Sequence, residues 1–168
     1  MSNSVLLDTV ALWGLTFVNS KYHKPVVELV KSKTTIVHSI CFHELVYPAY
    51  RLESNTGRDL DAGLRLIGDV KNSYSNISRN YDVLFGISEL VILPLTLSDL
   101  IEAYSLILKE RDIFIEEREG YWPSIVDAII ASVWKRLQIV LITNDEKLIR
   151  YGEKNGLRFK IITPKKGV

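Results

Sequence analysis

Cysteine is almost missing from this 168-residue chain, with Cys41 its only example. That excludes an intramolecular disulfide and a Cys-rich zinc site, and it leaves stability to core packing. Long apolar runs are missing too. No strictly apolar stretch exceeds four residues, which excludes a membrane-spanning helix, and the N-terminus lacks the basic start and apolar segment of a secretory signal. A cytoplasmic location is expected. Neither G-x-G-x-x-G nor G-x-x-x-x-G-K-[ST] occurs, which argues against a dinucleotide enzyme or a P-loop NTPase. No internal repeat, low-complexity tract or Pro/Gly/Ser linker divides the chain, so residues 1–168 read as one domain.

What is present is ordinary globular composition, with 47% hydrophobic and 24% charged residues and a formal net charge of +1. The distribution of charge is less even. Residues 98–120 hold seven acids and three bases, whereas residues 135–168 hold nine bases and three acids. The basic end could track phosphates or be a solvated surface.

Short aliphatic runs alternate with helical patterns, the signature of βαβ units and a mainly parallel sheet in an α/β fold. Strands are predicted at Ser4 to Leu7, Thr34 to Ile40, Leu90 to Leu95, Gln138 to Thr143 and Arg158 to Ile162. Their near-continuous apolar character suggests cover on both faces. Ser98, followed by Asp99 and Glu102, reads as the N-cap of a helix through Leu100, Tyr104, Ile107 and Leu108. Leu60, Leu64, Ile67, Val70 and Tyr74 mark an amphipathic helix, and the polar stretch Asn72 to Asn80 is expected to be loop. Ser124 to Leu137, entered at Pro123, is apolar nearly all round and should be sandwiched between other elements.

Four carboxylates stand out against apolar sequence. Asp8 ends Val5-Leu6-Leu7, where an unpaired charge would lose hydration at substantial cost. Glu44 follows Ile40-Cys41-Phe42, Asp127 lies inside Ile125 to Ala131, and Asp145 ends Ile139 to Asn144. In an open α/β sheet functional groups gather outside the carboxyl ends of the strands, so all four could converge at one edge. Acids that close would take up protons or bind a cation. Oxygen ligands without His or Cys suit Mg²⁺ or Mn²⁺, ions that activate water and stabilise charge during displacement at phosphorus. Capping is the alternative. Ser124 and Asp127 fit S-x-x-D, Thr143 and Glu146 fit T-x-x-E, and Asp145 could be a first-turn acid facing a helix dipole.

With these residues in view, the chain resembles the PIN-domain nucleases, and within them the VapC-like toxins of toxin–antitoxin pairs. Val5-Leu6-Leu7-Asp8-Thr9 looks like the family's opening strand, His43-Glu44-Leu45 like its second acidic motif, Asp127-Ala128-Ile129-Ile130-Ala131 like its Asp-Ala helix, and Thr143-Asn144-Asp145 like its terminal Thr-x-Asp. The resemblance implies a three-layer α/β/α sandwich with a central parallel five-stranded sheet in the order 3-2-1-4-5. It implies a Mg²⁺- or Mn²⁺-dependent endoribonuclease in which Asp8, Glu44, Asp127 and Asp145 hold the metal, supported by Thr9, Thr143 and Asn144. RNA as substrate, a small antitoxin and a homodimer follow from the same likeness. An RNA-processing nuclease without an antitoxin and a non-catalytic binding domain are the rival readings. Three features depart from the pattern: Pro48, whose ring clashes with the Glu44 carbonyl in a regular helix and should kink, end or restart it; Leu148 in place of an aromatic; and a long segment from Arg51 to Gly86.

Other residues carry less. His38, Cys41 and His43, read as strand residues, place Cys41 and His43 on one face and His38 on the other, so no joint site is expected and Cys41 reads as core. His23 is expected to be solvated. Tyr121 and Trp122 are the better candidates for base stacking among the aromatics, and Glu110 to Glu119 reads as a solvated helix end or a docking surface for a basic partner.

Overall fold

A computed structural model describes residues 3–52 and 58–164. The chain runs β1 (Ser4–Leu7), α1 (Thr9–Thr16), α2 (His23–Val30), β2 (Thr34–His38), α3 (Ser39–Leu52), α4 (Leu60–Phe85) and β3 (Glu89–Leu93). It continues through α5 (Leu97–Lys109), α6 (Arg111–Phe114), β4 (Ile115–Glu117), β5 (Tyr121–Pro123), α7 (Ile125–Leu137), β6 (Val140–Thr143), α8 (Glu146–Asn155) and β7 (Phe159–Ile161). Five strands form one parallel sheet in the order β3-β2-β1-β6-β7. This is the expected strand order. The right-handed connections that parallel strands adopt put α1 to α4 on one face and α5 to α8 on the other, and the helices pack mainly within those two groups, with α3 also touching α7.

The central strands are dry because helices cover them on both sides. Val5, Leu6, Leu7, Leu141 and Ile142 are all buried. On the second face α7 is the inner helix, with Ala128, Ile129, Ile130, Ala131, Val133 and Trp134 buried, which accounts for its lack of a polar side. Trp134 donates its indole N–H to the Ile139 carbonyl at 2.9 Å and packs against Tyr151 and Phe159. Among the described residues, no helix is long and apolar enough to cross a membrane.

Several local expectations change. Asn72 to Asn80 is not loop: α4 runs on to Phe85, with non-helical angles only at Asn80. The polar residues form its wet face, while Val70 and Ile77 continue the buried stripe. The N-cap of α5 is Thr96, not Ser98; its hydroxyl accepts from Asp99 N while the Asp99 side chain accepts from Thr96 N, a complete capping box. β2 stops at His38, so Ile40, Cys41 and His43 lie on α3, and strand alternation does not apply to them. Cys41 is fully buried, as a core residue should be. Pro48 neither ends nor restarts α3, which continues through it to Leu52. Lacking an N–H, Pro48 cannot close the helical bond to the Glu44 carbonyl. His23 is half-buried and bonds the Gly14 carbonyl at 2.8 Å.

The segment Glu110 to Glu119 is not simply a solvated helix end. It holds α6, whose Ile113 and Phe114 are core residues, and the first strand of a hairpin in which β4 and β5 pair antiparallel. Glu119 and Gly120 both adopt positive φ at its turn. That turn is the sequence signal for the hairpin.

One close approach sets the spacing of α8. A Cβ on Gly152 would lie 2.3 Å from Trp134 Cη2 and 3.2 Å from Phe159 Cδ1. Trp134 is fully buried and cannot yield. Gly152→Ala should therefore destabilise the protein by about 1–3 kcal/mol through overpacking. Denaturant unfolding measures this, and an unchanged midpoint would contradict the packing described.

Candidate active site

Asp8 leaves β1 into the N-terminus of α1. It is 2% exposed. One oxygen accepts from Ala11 N at 2.8 Å, making Asp8 the N-cap of α1, and the other accepts from the Thr143 hydroxyl at the end of neighbouring β6. Burial is the largest influence on this carboxyl. It outweighs both hydrogen bonds, and with the fields of Asp145 and Glu44 it pushes the pKa up to about 7.

The remaining acids reach the same place from different elements. Glu44, on α3, accepts from the Thr9 hydroxyl. Asp127 lies in the first turn of α7. Burial, followed by the field of Asp145, raises its pKa to about 7 against the opposing pull of Lys147. Asp145 is the N-cap of α8 and accepts from Lys147 N at 2.9 Å and Leu148 N at 3.1 Å. Asp8, Thr9, Glu44, Asp127 and Asp145 line one cavity of about 510 Å³, together with Pro48, Glu116, Trp122 and Lys147. The convergence expected at the carboxyl edge of the sheet is present.

Two capping alternatives are resolved. Ser124 makes no side-chain cap bond; its hydroxyl lies 3.4 Å from Glu116 Oε1, so Asp127 has no capping partner there. Thr143 does not cap α8 either. It donates to Asp8 and accepts from Asp145 N at 3.0 Å, which ties the two strand ends together. Asp145 does cap, and capping leaves its other oxygen turned toward Lys147. Thr9 and Thr143 thus bond carboxylates as expected. Asn144 does not: its side-chain amide pairs with the backbone N–H and C=O of Ile162, at 2.7 and 3.0 Å. The adjoining strand end engages both ends of the amide.

Two charged residues of the cavity escaped sequence reasoning. Lys147 Nζ lies 2.6 Å from Glu116 Oε1, 3.4 Å from Asp127 Oδ2 and 3.8 Å from Asp145 Oδ2. Burial would lower its pKa, but Glu116 and the two aspartates together hold it above the ordinary lysine range. Glu116 comes from the hairpin, whose pairing aligns it with Trp122. Trp122 is 63% exposed at the rim, and its indole donates to the Arg118 carbonyl at 3.0 Å. Lys147 was legible only as the second residue after Asp145, in the first turn of a helix that Asp145 caps. Glu116 had no signal beyond membership of an acidic run.

The donor chemistry of the cavity suits a hard divalent cation, because every candidate ligand is a carboxylate oxygen and neither sulfur nor imidazole is among them. Among the described residues, no three His, Cys, Asp or Glu side chains are grouped closely enough to form a ready ligand cage. Three of the cavity's carboxylates, those of Glu116, Asp127 and Asp145, are spaced around the Lys147 ammonium instead.

Comparison with known proteins agrees with this architecture. The PIN domain model matches residues 5–154. No curated protein sequence matches the chain. Among solved structures, the chain is similar to Mycobacterium tuberculosis VapC20, a sarcin–ricin loop cleaving toxin, with a TM-score of 0.59 and 12% identity over 88% of this chain and 95% of that one. It is also similar to FitAcB from Neisseria gonorrhoeae, with a TM-score of 0.54 and 14% identity over 95% of this chain and 97% of that one. A third likeness, to VapBC-1 from nontypeable Haemophilus influenzae, has a TM-score of 0.52 and 14% identity over 94% of this chain and 97% of that one. At these identities the likeness speaks for the fold.

The raised carboxyls set a pH dependence for the metal-free protein. A carboxyl whose folded pKa lies above its unfolded value of 3.8 holds its proton more tightly when folded, so its stabilising contribution is greatest below that value and is lost as pH climbs toward 7. In chelator, Asp8→Asn should match the wild type near pH 4 and exceed its stability by about 1–3 kcal/mol at pH 8, the scale of relieving a buried, poorly compensated polar group. Thermal melts across that range measure the difference, and a gap that does not change with pH would contradict the burial argument. With residues 5–154 matched, a parallel sheet of the expected order and the acids gathered at its edge, the chain belongs to the PIN domain family.

Proposed function

We propose that the protein is a divalent-metal-dependent endoribonuclease that acts as the toxin of a toxin–antitoxin pair. The observation that carries this reading is the meeting of Asp8, Glu44, Asp127 and Asp145, from four separate elements, in one cavity. Burial chiefly, and then the fields of Asp145 and Glu44, raise the pKa values of Asp8 and Asp127, and a bound cation would offset both effects. Mg²⁺ or Mn²⁺ is the proposed cofactor. Such an ion, when bound, supplies an acidified water and Lewis acidity toward a phosphate oxygen.

The chain's own residues divide the remaining work. Asp8 and Asp145 are held by backbone N–H groups at the starts of α1 and α8, Asp8 also by Thr143, so both carboxylates are fixed in place at the cavity. Thr143 and Thr9 orient Asp8 and Glu44, a support whose removal costs about 10–100-fold in metal affinity at comparable sites. Asp127, held proton-hungry by burial and by Asp145, is the group placed to accept a proton from an attacking water at neutral pH. Trp122, exposed at the rim, offers a face to an unstacked base.

The toxin role draws support from the sarcin–ricin loop cleaving toxin that shares the fold. A small protein antitoxin is the partner this role requires. The enzymatic test is cleavage of single-stranded and hairpin RNA in Mg²⁺ or Mn²⁺ by the wild type, by Asp8→Asn and Asp145→Asn, and by the wild type in chelator. The expected result is endonucleolytic cleavage by the first alone, with at least a ~100-fold loss in the others. Equal cleavage in all arms, or none in any, would overturn the assignment.

A further inference from the structure

Lys147 puts a fixed positive charge inside a cavity whose other charged lining residues are all acids, and its placement is built from several independent contacts. Its backbone N–H is bound by the Asp145 side chain at the start of α8. Its ammonium is anchored by Glu116 at 2.6 Å, and Glu116 is itself fixed: Arg118 Nε lies 3.2 Å from its other oxygen, and the β4–β5 pairing sets its register. The tethered ammonium faces Asp127 Oδ2 at 3.4 Å and Asp145 Oδ2 at 3.8 Å. It is 24% exposed, so bulk water screens it weakly.

These contacts single out two of the cavity's acids. Asp127 and Asp145 lie 3.4 and 3.8 Å from the ammonium, whereas Asp8 and Glu44 bond threonine hydroxyls. Two-metal phosphodiester sites hold their ions about 3.5–4 Å apart, bridged or flanked by shared carboxylates. A second dication between Asp127 and Asp145 would meet a tethered ammonium at contact range in a poorly screened cavity, where like charges exclude each other. We propose that Lys147 stands in for a second divalent ion, so that this chain binds one metal and uses the Lys147 ammonium as its other cation. Glu116 and the hairpin are the positioning elements that keep the ammonium there. The inference rests on the metal-dependent reading above.

The test is the stoichiometry of Mn²⁺ binding to the full chain by calorimetry, paired with frozen-solution electron paramagnetic resonance. The wild type should bind one Mn²⁺ and give the signal of an isolated ion. Lys147→Met should bind two and give an exchange-coupled pair, while Lys147→Arg, which keeps the charge, should bind one. Two ions in the wild type would overturn the proposal without any variant. One ion in both the wild type and Lys147→Met would overturn it too, by showing that the ammonium excludes nothing. No binding to the wild type would instead overturn the metal-dependent reading on which the proposal rests.

Discussion

Asp8 places a carboxylate at the end of a strand that is dry on both faces, and a charge there forfeits its hydration. The fold answers with whatever donors are nearest. The first turn of α1 supplies the Ala11 N–H, and the end of β6 supplies the Thr143 hydroxyl. The Thr143 donor brings a second constraint with it. Thr143 also accepts from Asp145 N, so the capping residue of α8 is registered against β1 through a single hydroxyl. Thr9, next to Asp8, binds Glu44 and so registers α3 in the same way. Compensation of Asp8 thereby fixes Asp145, and the threonine beside Asp8 fixes Glu44.

Compensation is incomplete, and the incompleteness has a use. Asp8 and Asp127 keep their protons to about pH 7 because burial, with the added fields of Asp145 and Glu44, outweighs the hydrogen bonds they accept. A protein built only for stability would place apolar or amide side chains at these positions. Retaining the acids costs stability in the metal-free chain and leaves a cavity whose electrostatics reward a cation. Lys147 satisfies part of that demand from within, and the hairpin carrying Glu116 controls how much. The hairpin thus belongs to the site as much as the sheet does.

The sheet was legible because its strands are nearly continuous aliphatic runs, and the four acids were legible because they interrupt such runs. Asn72 to Asn80 reads as loop because a helix with one wet face can be as polar as a loop when few of its residues turn inward, here Tyr74 and Ile77. His38 ends β2 two residues earlier than expected because α3 begins at once, and no proline or glycine marks the change. Lys147 and Glu116 carry little signal for another reason. Their role depends on a contact across 31 residues between a hairpin and a helix start, and neither residue interrupts an apolar run. Asn144 resembled a site residue by position, yet its amide was already required by the backbone of Ile162.

If the cavity is built to receive a hard cation, binding must be linked to folding. A ligand held only by the native state stabilises it by about 2.7 kcal/mol at a hundred times its dissociation constant, and at this chain size each kcal/mol moves the melting temperature by roughly 2–4 °C. Thermal melts of the wild type and Asp8→Asn, with and without Mn²⁺ at pH 7.5, test this directly. The account predicts that Mn²⁺ raises the wild-type Tm by about 5–10 °C and the Asp8→Asn Tm by less than half as much. A wild-type Tm indifferent to millimolar Mn²⁺ would contradict it.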